Sequence, residues 1–257
     1  MLSHAIAHAI ARPPAPSYVD GITSADLGRP DLALALRQHA AYVQALRDCG
    51  LEVTVLEPAP AFPDACFVED CALLTARGAV LTRPGAETRR GEAALIEPEI
   101  ADRFEHLAFV EAPGTLDAGD VLQVDDHFFV GLSARTNRAG AEQLLAILEG
   151  FGYTGEAVPM REMLHLKTGV NALPDRRLLV TGEFVDARAF AGFERIVVPA
   201  EEAYAANSLW INDAVIVPAG FPRTLESIRA LEVDVIEVDV SEFRKMDGGL
   251  SCLSLRY

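Results

Sequence analysis

Apolar and polar positions along the chain fall into short blocks that read as alternating helices and strands. Asp31 to Cys49 is rich in helix formers, follows Pro30 and stops at Gly50, which predicts a helix with both ends marked. Asn137 to Gly150 begins at a capping asparagine and stops at a glycine, a second helix. Thr224 to Leu231, introduced by Pro222, is a shorter third. Strand-like runs lie between them: Glu52 to Leu56, Ala79 to Leu81, His127 to Val130, Leu178 to Thr181, Ala214 to Val217 and Val233 to Val238. Strands alternating with helices predict an α/β fold. No Ser/Gly linker or low-complexity stretch divides the chain, so residues 1–257 read as a single catalytic domain.

A second regularity is laid over the first. Polar clusters able to do chemistry recur at a spacing of roughly 45 residues, within the range of repeat architectures. They are Asp64 to Asp70, Leu116 to Asp120, His165 to Asn171, Ala205 to Ser208 and Asp247 to Cys252. Short apolar strands follow most of them, as at Ala72 to Leu74, Val121 to Val124 and Leu209 to Ile211. Five similar units, each with a polar loop at one end, would close around a central site. Ordinary loop polarity would also scatter clusters along a chain.

Composition narrows the classes of function. With 22 Lys and Arg against 38 Asp and Glu, the formal net charge is −16, which leaves no cationic excess for nucleic acid or for an anionic membrane surface. A cationic small molecule would be drawn to such a protein. Met1 to Arg12 is apolar but brief, has no basic leader and does not read as a signal peptide; no run approaches the length of a membrane span. The four cysteines match neither a zinc pattern nor a disulfide scaffold. The expected setting is a reducing cytoplasm, and no metal is expected.

The segment from Met246 to Arg256 carries the sharpest chemical signal. Cys252 follows Gly248-Gly249, and glycines there let the backbone approach a ligand closely. A thiol so placed suits covalent catalysis, although a buried structural cysteine in a last strand would look the same. His165 alone would read as readily as a core residue or a cap. Asp120 reads as a turn residue bonded to backbone, and Glu69-Asp70 as a loop acid pair with apolar neighbours on both sides.

Taken together, FPDACFVED (62–70), TRPGAETRRGE (82–92), EAPGTLDAGD (111–120), SARTN (133–137), LHLKTG (164–169), EEAYAAN (201–207) and RKMDGGLSCLSLR (244–256) resemble the dimethylarginine dimethylaminohydrolases of the guanidine-modifying, or pentein, superfamily. The resemblance runs over nearly the whole chain. It implies a five-bladed pseudo-symmetric α/β propeller of ββαβ units, with the active site on the axis. It also implies cysteine-dependent hydrolysis of N-omega-methylated arginines to citrulline and an alkylamine, without cofactor. Arginine deiminase or another guanidine-modifying activity, on the same Cys-His-acid core, is the alternative.

By the same resemblance Cys252 is the nucleophile, His165 the general acid and base, and Asp117 the acid that orients it, with Asp120 the nearby alternative; the family carries Asp or Glu at the Asp117 position, and this chain has the shorter arm. Asp70 and Glu69 would bind the guanidinium, with Phe67 offering an apolar wall to the methyl groups. Arg89 and Arg135 would hold the α-carboxylate and Asp64 the α-amino group. Ile22 would act as a lid, and Met246 would touch the substrate through its backbone. Cys49 reads as a core residue at a helix end, and Cys66 and Cys71 as structural. The expected partner is a small cationic amino acid, and a propeller rim would allow a homodimer.

Overall fold

Each of the five polar clusters runs into a strand, and that strand sets the rest of its unit. In the computed structural model of the protein, which describes residues 5–257, strands begin at Ala72, Val121, Val170, Leu209 and Ser254. Ala72–Thr75 pairs antiparallel with Gly78–Leu81, which pairs parallel with Leu107–Phe109. The same order recurs in Val121–Val124, His127–Leu132 and Thr154–Pro159. It recurs in Val170–Leu173, Arg177–Val180 and Glu194–Val197, and again in Leu209–Ile211, Ala214–Pro218 and Asp234–Val238.

The remaining unit is built from both ends of the described chain. His8–Ala11 pairs antiparallel with Ser254–Arg256 and parallel with Glu52–Val55. The apolar stretch at the N-terminus is therefore a central strand; its residues 1–4, His4 included, lie outside the described residues. Five three-stranded sheets result, and first strands of neighbouring units touch, giving the five-bladed α/β propeller.

The parallel half of each unit needs a crossover, which is where the helices go. Leu32–Asp48 spans the first, with the Asp31 carboxylate accepting from the Leu34 N–H and Gly50 leaving at φ 88°. It buries Ala35, His39, Tyr42, Val43 and Leu46, the helical period of one apolar face. Arg138–Gly150 spans the third, capped by Asn137. Pro222–Arg229 spans the fifth, starting two residues ahead of the expected Thr224 because Pro222 itself occupies the first turn. The second crossover carries two 3₁₀ turns, Glu87–Arg89 and Ala93–Leu95, and the short helix Glu97–Ala101, and the fourth only single 3₁₀ turns.

Middle strands are almost fully buried, whereas outer strands are half covered. Leu107–Phe109, Thr154–Pro159 and Glu194–Val197 are outer strands whose partial burial leaves no clear alternation in sequence.

Neighbouring units are also tied by side chains. Asn212, in the left-handed region at φ 52°, accepts from the Ile6 N–H and donates to the carbonyls of Ile6 and Cys49, joining the last unit to the first. Asn212→Ala removes all three bonds and places a poorer residue at a left-handed position. It is expected to destabilise the protein by about 1–3 kcal/mol, read as a lower melting temperature in calorimetry; an unchanged melting temperature would show that this tie contributes nothing.

Candidate active site

The nucleophile loop is held by its two glycines and by one asparagine. A side chain at Gly248 would collide with the Phe67 ring, and one at Gly249 with the Asn207 amide. The loop therefore lies where only glycine fits. Asn207 accepts from the Ser251 N–H at 2.9 Å and donates to Ser251 Oγ and to the Lys167 carbonyl. Ser251–Leu253 then makes a 3₁₀ turn, and Cys252 opens onto a small cavity.

That cavity, about 30 Å³, is lined by Ile22, Asp64, Phe67, Asp70, Arg89, Arg135, Leu164, His165, Met246, Asp247, Gly248 and Cys252. Residues from the beginning, middle and end of the sequence meet here because each unit delivers its polar loop to the same end of the axis. The Ile22 N–H donates to both oxygens of Asp64. The adjoining Thr23 and Ser24 donate to Asp247 Oδ2, and Thr23 also to the Lys245 carbonyl. The Ile22 loop is thus pinned to the acid below it and to the segment that leads to Cys252.

Asp117 and Glu69 do not line the cavity. Asp117 lies fully buried behind it, 3.8 Å from His165 Nε2 and 3.6 Å from Arg135 Nη1. Its Oδ1 accepts from the Gly85 N–H, and its Oδ2 has no hydrogen-bond donor. Glu69 faces the other side of the axis. Its Oε1 accepts from Lys167 Nζ at 2.6 Å and Arg256 Nη2 at 2.9 Å, and all three line a separate cavity of about 330 Å³. The sequence reading had not assigned Lys167 or Arg256 to anything.

Arg89 also differs from a free carboxylate clamp. It is buried, and donates to Asp70 Oδ2 at 2.6 Å, to both oxygens of Glu92 and to the carbonyls of Asp64 and Phe67. Most of its fork is spent holding Asp70 in place, whose Oδ1 accepts from the Gly119 N–H. Arg135 is less committed, its ion pair to Asp117 being long.

These surroundings fix the direction of each ionisation. Burial pushes the Cys252 thiol up to about 12, helped by the negative charges of Glu69 and Asp70. Burial alone would lower His165, but the carboxylates of Asp120, Asp70 and Asp117 outweigh it and raise the imidazole to about 9. Burial and the neighbouring Asp70 raise Asp117. Asp70 is held below the usual carboxylate range: burial works against this, and Arg89, the His165 cation and the Gly119 N–H prevail. Near neutrality the pair is a thiol beside an imidazolium, with acids around both.

Asp70, Asp117 and His165 present ligand atoms within 4.8 Å of one another, the one such group among the described residues. Both Asp70 oxygens already accept hydrogen bonds, so the trio is committed to the imidazolium and Arg89. Cys66 and Cys71 are buried free thiols that burial raises well above the ordinary range, which makes them inert packing. Cys49 caps the first helix and is half-buried.

A family model described as "N,N dimethylarginine dimethylhydrolase, eukaryotic" matches residues 29–203. The N(G),N(G)-dimethylarginine dimethylaminohydrolase of Pseudomonas aeruginosa is 54% identical over 252 residues, covering 97% of this chain and 99% of the relative. A solved structure of DDAH from Pseudomonas aeruginosa, a cysteine-to-serine mutant complexed with citrulline, superposes with a TM-score of 0.98 at 52% identity, over 99% of this chain and 100% of that one. A histidine-to-glycine variant of a dimethylarginine dimethylaminohydrolase, in adduct with S-methyl-L-thiocitrulline, superposes with a TM-score of 0.97 at 52% identity, over 98% and 100%.

A thiol raised this far reacts slowly near neutrality, because only the thiolate is nucleophilic. Alkylation of Cys252 by neutral iodoacetamide is expected to keep accelerating above pH 10. Asp70→Asn removes one of the charges that raise the thiol, so its profile should shift to lower pH. Intact-mass kinetics across pH measures both; a plateau near pH 8 in the unaltered protein would contradict the electrostatics described.

Proposed function

This chain belongs to the dimethylarginine dimethylaminohydrolase family, and from that premise we propose that it hydrolyses N-omega-methylated arginines to citrulline and dimethylamine or methylamine through Cys252. The observation that carries the proposal is a thiol and an imidazolium sharing one small cavity with Asp64 and Asp70 at its acidic wall and Arg135 at its cationic one.

A guanidinium carbon is a poor electrophile, since its charge is spread over three nitrogens, so the attacking group must be a thiolate. The resting thiol is kept neutral by burial first and by the acids around it second. A guanidinium bound against Asp70, with the Glu69 charge nearby, offsets those acids and lowers the thiol, whose proton passes to solvent. The substrate thus helps to make its own nucleophile. Sulfur attacks the guanidinium carbon and a tetrahedral adduct forms. The C–N bond to the alkylamine breaks as His165 protonates the departing nitrogen, leaving a thiouronium on Cys252. Water then attacks, neutral His165 takes its proton, and the C–S bond breaks to release citrulline.

In this reading Phe67 faces the methyl groups, and Arg135, with the remaining donor of Arg89, meets the α-carboxylate. Asp64 and the backbone of Ile22 and Met246 meet the amino end. The Ile22 loop borders the cavity, so the substrate would enter beside it. Asp117 holds its charge close to the developing imidazole base.

We further propose that the 257 residues form one catalytic domain, since the first and last strands share a sheet. None of the described helices is long and apolar enough to cross a membrane, and a cytoplasmic setting would keep the free thiols reduced. Val55, Phe109 and Val197 stand exposed on outer strands, a surface suited to a homodimer.

The deciding experiment is citrulline release from asymmetric dimethylarginine, monomethylarginine and arginine at equal concentration. Turnover of the methylated substrates is expected, with Cys252→Ser inactive and Asp70→Asn slower by at least about 10²-fold. Preference for arginine would move the chain to a deiminase, and no citrulline from any substrate would end the proposal. The kcat/KM profile should fall above about pH 9 as the His165 imidazolium loses its proton; steady-state rates from pH 6 to 10.5 check this.

A further inference from the structure

His165 has a carboxylate on each of its ring nitrogens, and the two are not equivalent. Asp117 lies on the Nε2 side, 3.8 Å away. Asp120 Oδ1 is the carboxylate oxygen facing Nδ1, 3.4 Å away; Nδ1 is sealed from solvent and makes no hydrogen bond in this structure. The fully buried Asp120 is itself locked. Its Oδ2 accepts from Ser133 Oγ and Thr136 Oγ1, both at 2.6 Å, and its Oδ1 accepts from the N–H of Leu166 at 3.0 Å. Ser133 Oγ in turn accepts from the N–H groups of Arg135 and Thr136.

Which nitrogen of a histidine reacts is decided by the hydrogen bond made at the other. We infer that Asp120, on the opposite ring nitrogen from Asp117, is a further positioning residue for His165: it accepts the Nδ1–H and leaves Nε2 to exchange protons with the leaving amine and the attacking water. The inference rests on the hydrolase reading above. In the first half-reaction the Nε2–H bond breaks and an N–H bond forms on the departing amine, while Nδ1–H stays with Asp120. In the second, a water proton passes to Nε2 and restores the imidazolium. The same carboxylate orders the 133–136 turn, so the acid–base group and Arg135 are set from one point.

The inference has consequences that a packing role lacks. Neutral His165 should be the Nδ1–H tautomer, and Asp120→Asn should disturb that state. The amide still accepts through its oxygen, so the fold is expected to survive, but its NH₂ faces Nδ1 and favours the opposite tautomer. His165 also faces Asp117 and Asp70, with Arg135 behind Asp117 and Cys252 in the same cavity, so a carboxylate remains near the ring and some elevation should persist.

The experiment is histidine-selective ¹⁵N NMR across pH on the full chain without substrate, paired with steady-state kinetics on methylated arginine. In the unaltered protein the expected result is loss of the Nε2 proton first. In Asp120→Asn, the His165 titration and the alkaline limb of kcat/KM should move together to lower pH. Its kcat should fall by about 10²–10³-fold with little change in KM. Asp120→Glu should recover part of the loss.

An Nε2–H tautomer in the unaltered protein would overturn the inference, whether or not the Asn variant folds. So would a folded Asp120→Asn with an unmoved titration and a kcat within threefold. Absence of citrulline production by the unaltered protein would sink the hydrolase reading alone, because the tautomer is measured without turnover.

Discussion

Burying carboxylates at the propeller axis is the constraint on which the rest of the structure depends. Asp64, Glu69, Asp70, Asp117 and Asp120 are all buried, and ionised groups away from water are costly unless something answers their charge. Most of the answers come from other units. Arg89 holds Asp70, Lys167 and Arg256 converge on Glu69, and backbone N–H groups of Gly85, Gly119, Ile22 and Leu166 serve Asp117, Asp70, Asp64 and Asp120. Closing the ring is therefore an electrostatic requirement as well as an apolar one: Asp70 finds Arg89 within its own unit, but Glu69 depends on Lys167 and Arg256 from other units. The compensation stays incomplete at the Asp117 Oδ2 and Glu69 Oε2 atoms, which have no donor; the imidazolium of His165 is stabilised by Asp120, Asp70 and Asp117.

The same constraint explains why the resting nucleophile is unreactive. Most cysteine enzymes lower the thiol with a nearby cation; here burial, with the charges of Glu69 and Asp70 added, drives the shift upward despite the imidazolium in the same cavity. In the proposed reaction a bound guanidinium would offset those acids, so that the same carboxylates would serve both binding and activation.

Much of the architecture was legible because every first strand starts at a polar cluster. The spacing of those clusters and the apolar triplets after them marked the five units, and the capping residues Asp31 and Asn137 marked two helices to within a residue. Half-covered outer strands were invisible, since partial burial erases periodicity. At the site, the Cys252, His165 and Asp70 constellation was reached through its resemblance to a family, and the structure gathers it in one cavity. Asp120 read as a turn residue or as an alternative to Asp117, and Lys167 as nothing, because Leu166 and Glu69, which they meet, lie 46 and 98 positions away in sequence. One signal was available: Asp70 and Cys252 both stand two residues ahead of their strands, and Asp120 one, a register that points all three at the axis.

The pairing of His8–Ala11 with Ser254–Arg256 has a consequence for how the molecule comes into being. A ribosome makes the acidic cradle, Arg89 and the imidazole well before the thiol. Until Ser254 emerges, the strand His8–Ala11 has an open edge where its antiparallel neighbour belongs, a surface prone to pairing with another chain. Glu69 also waits, since Arg256 has yet to arrive. The nascent chain therefore holds a charged, unsealed ring with no chemistry in it. The last few residues close the sheet, answer the buried acid and deliver the nucleophile in a single event, so a chain halted short of them carries no reactive thiol at the axis.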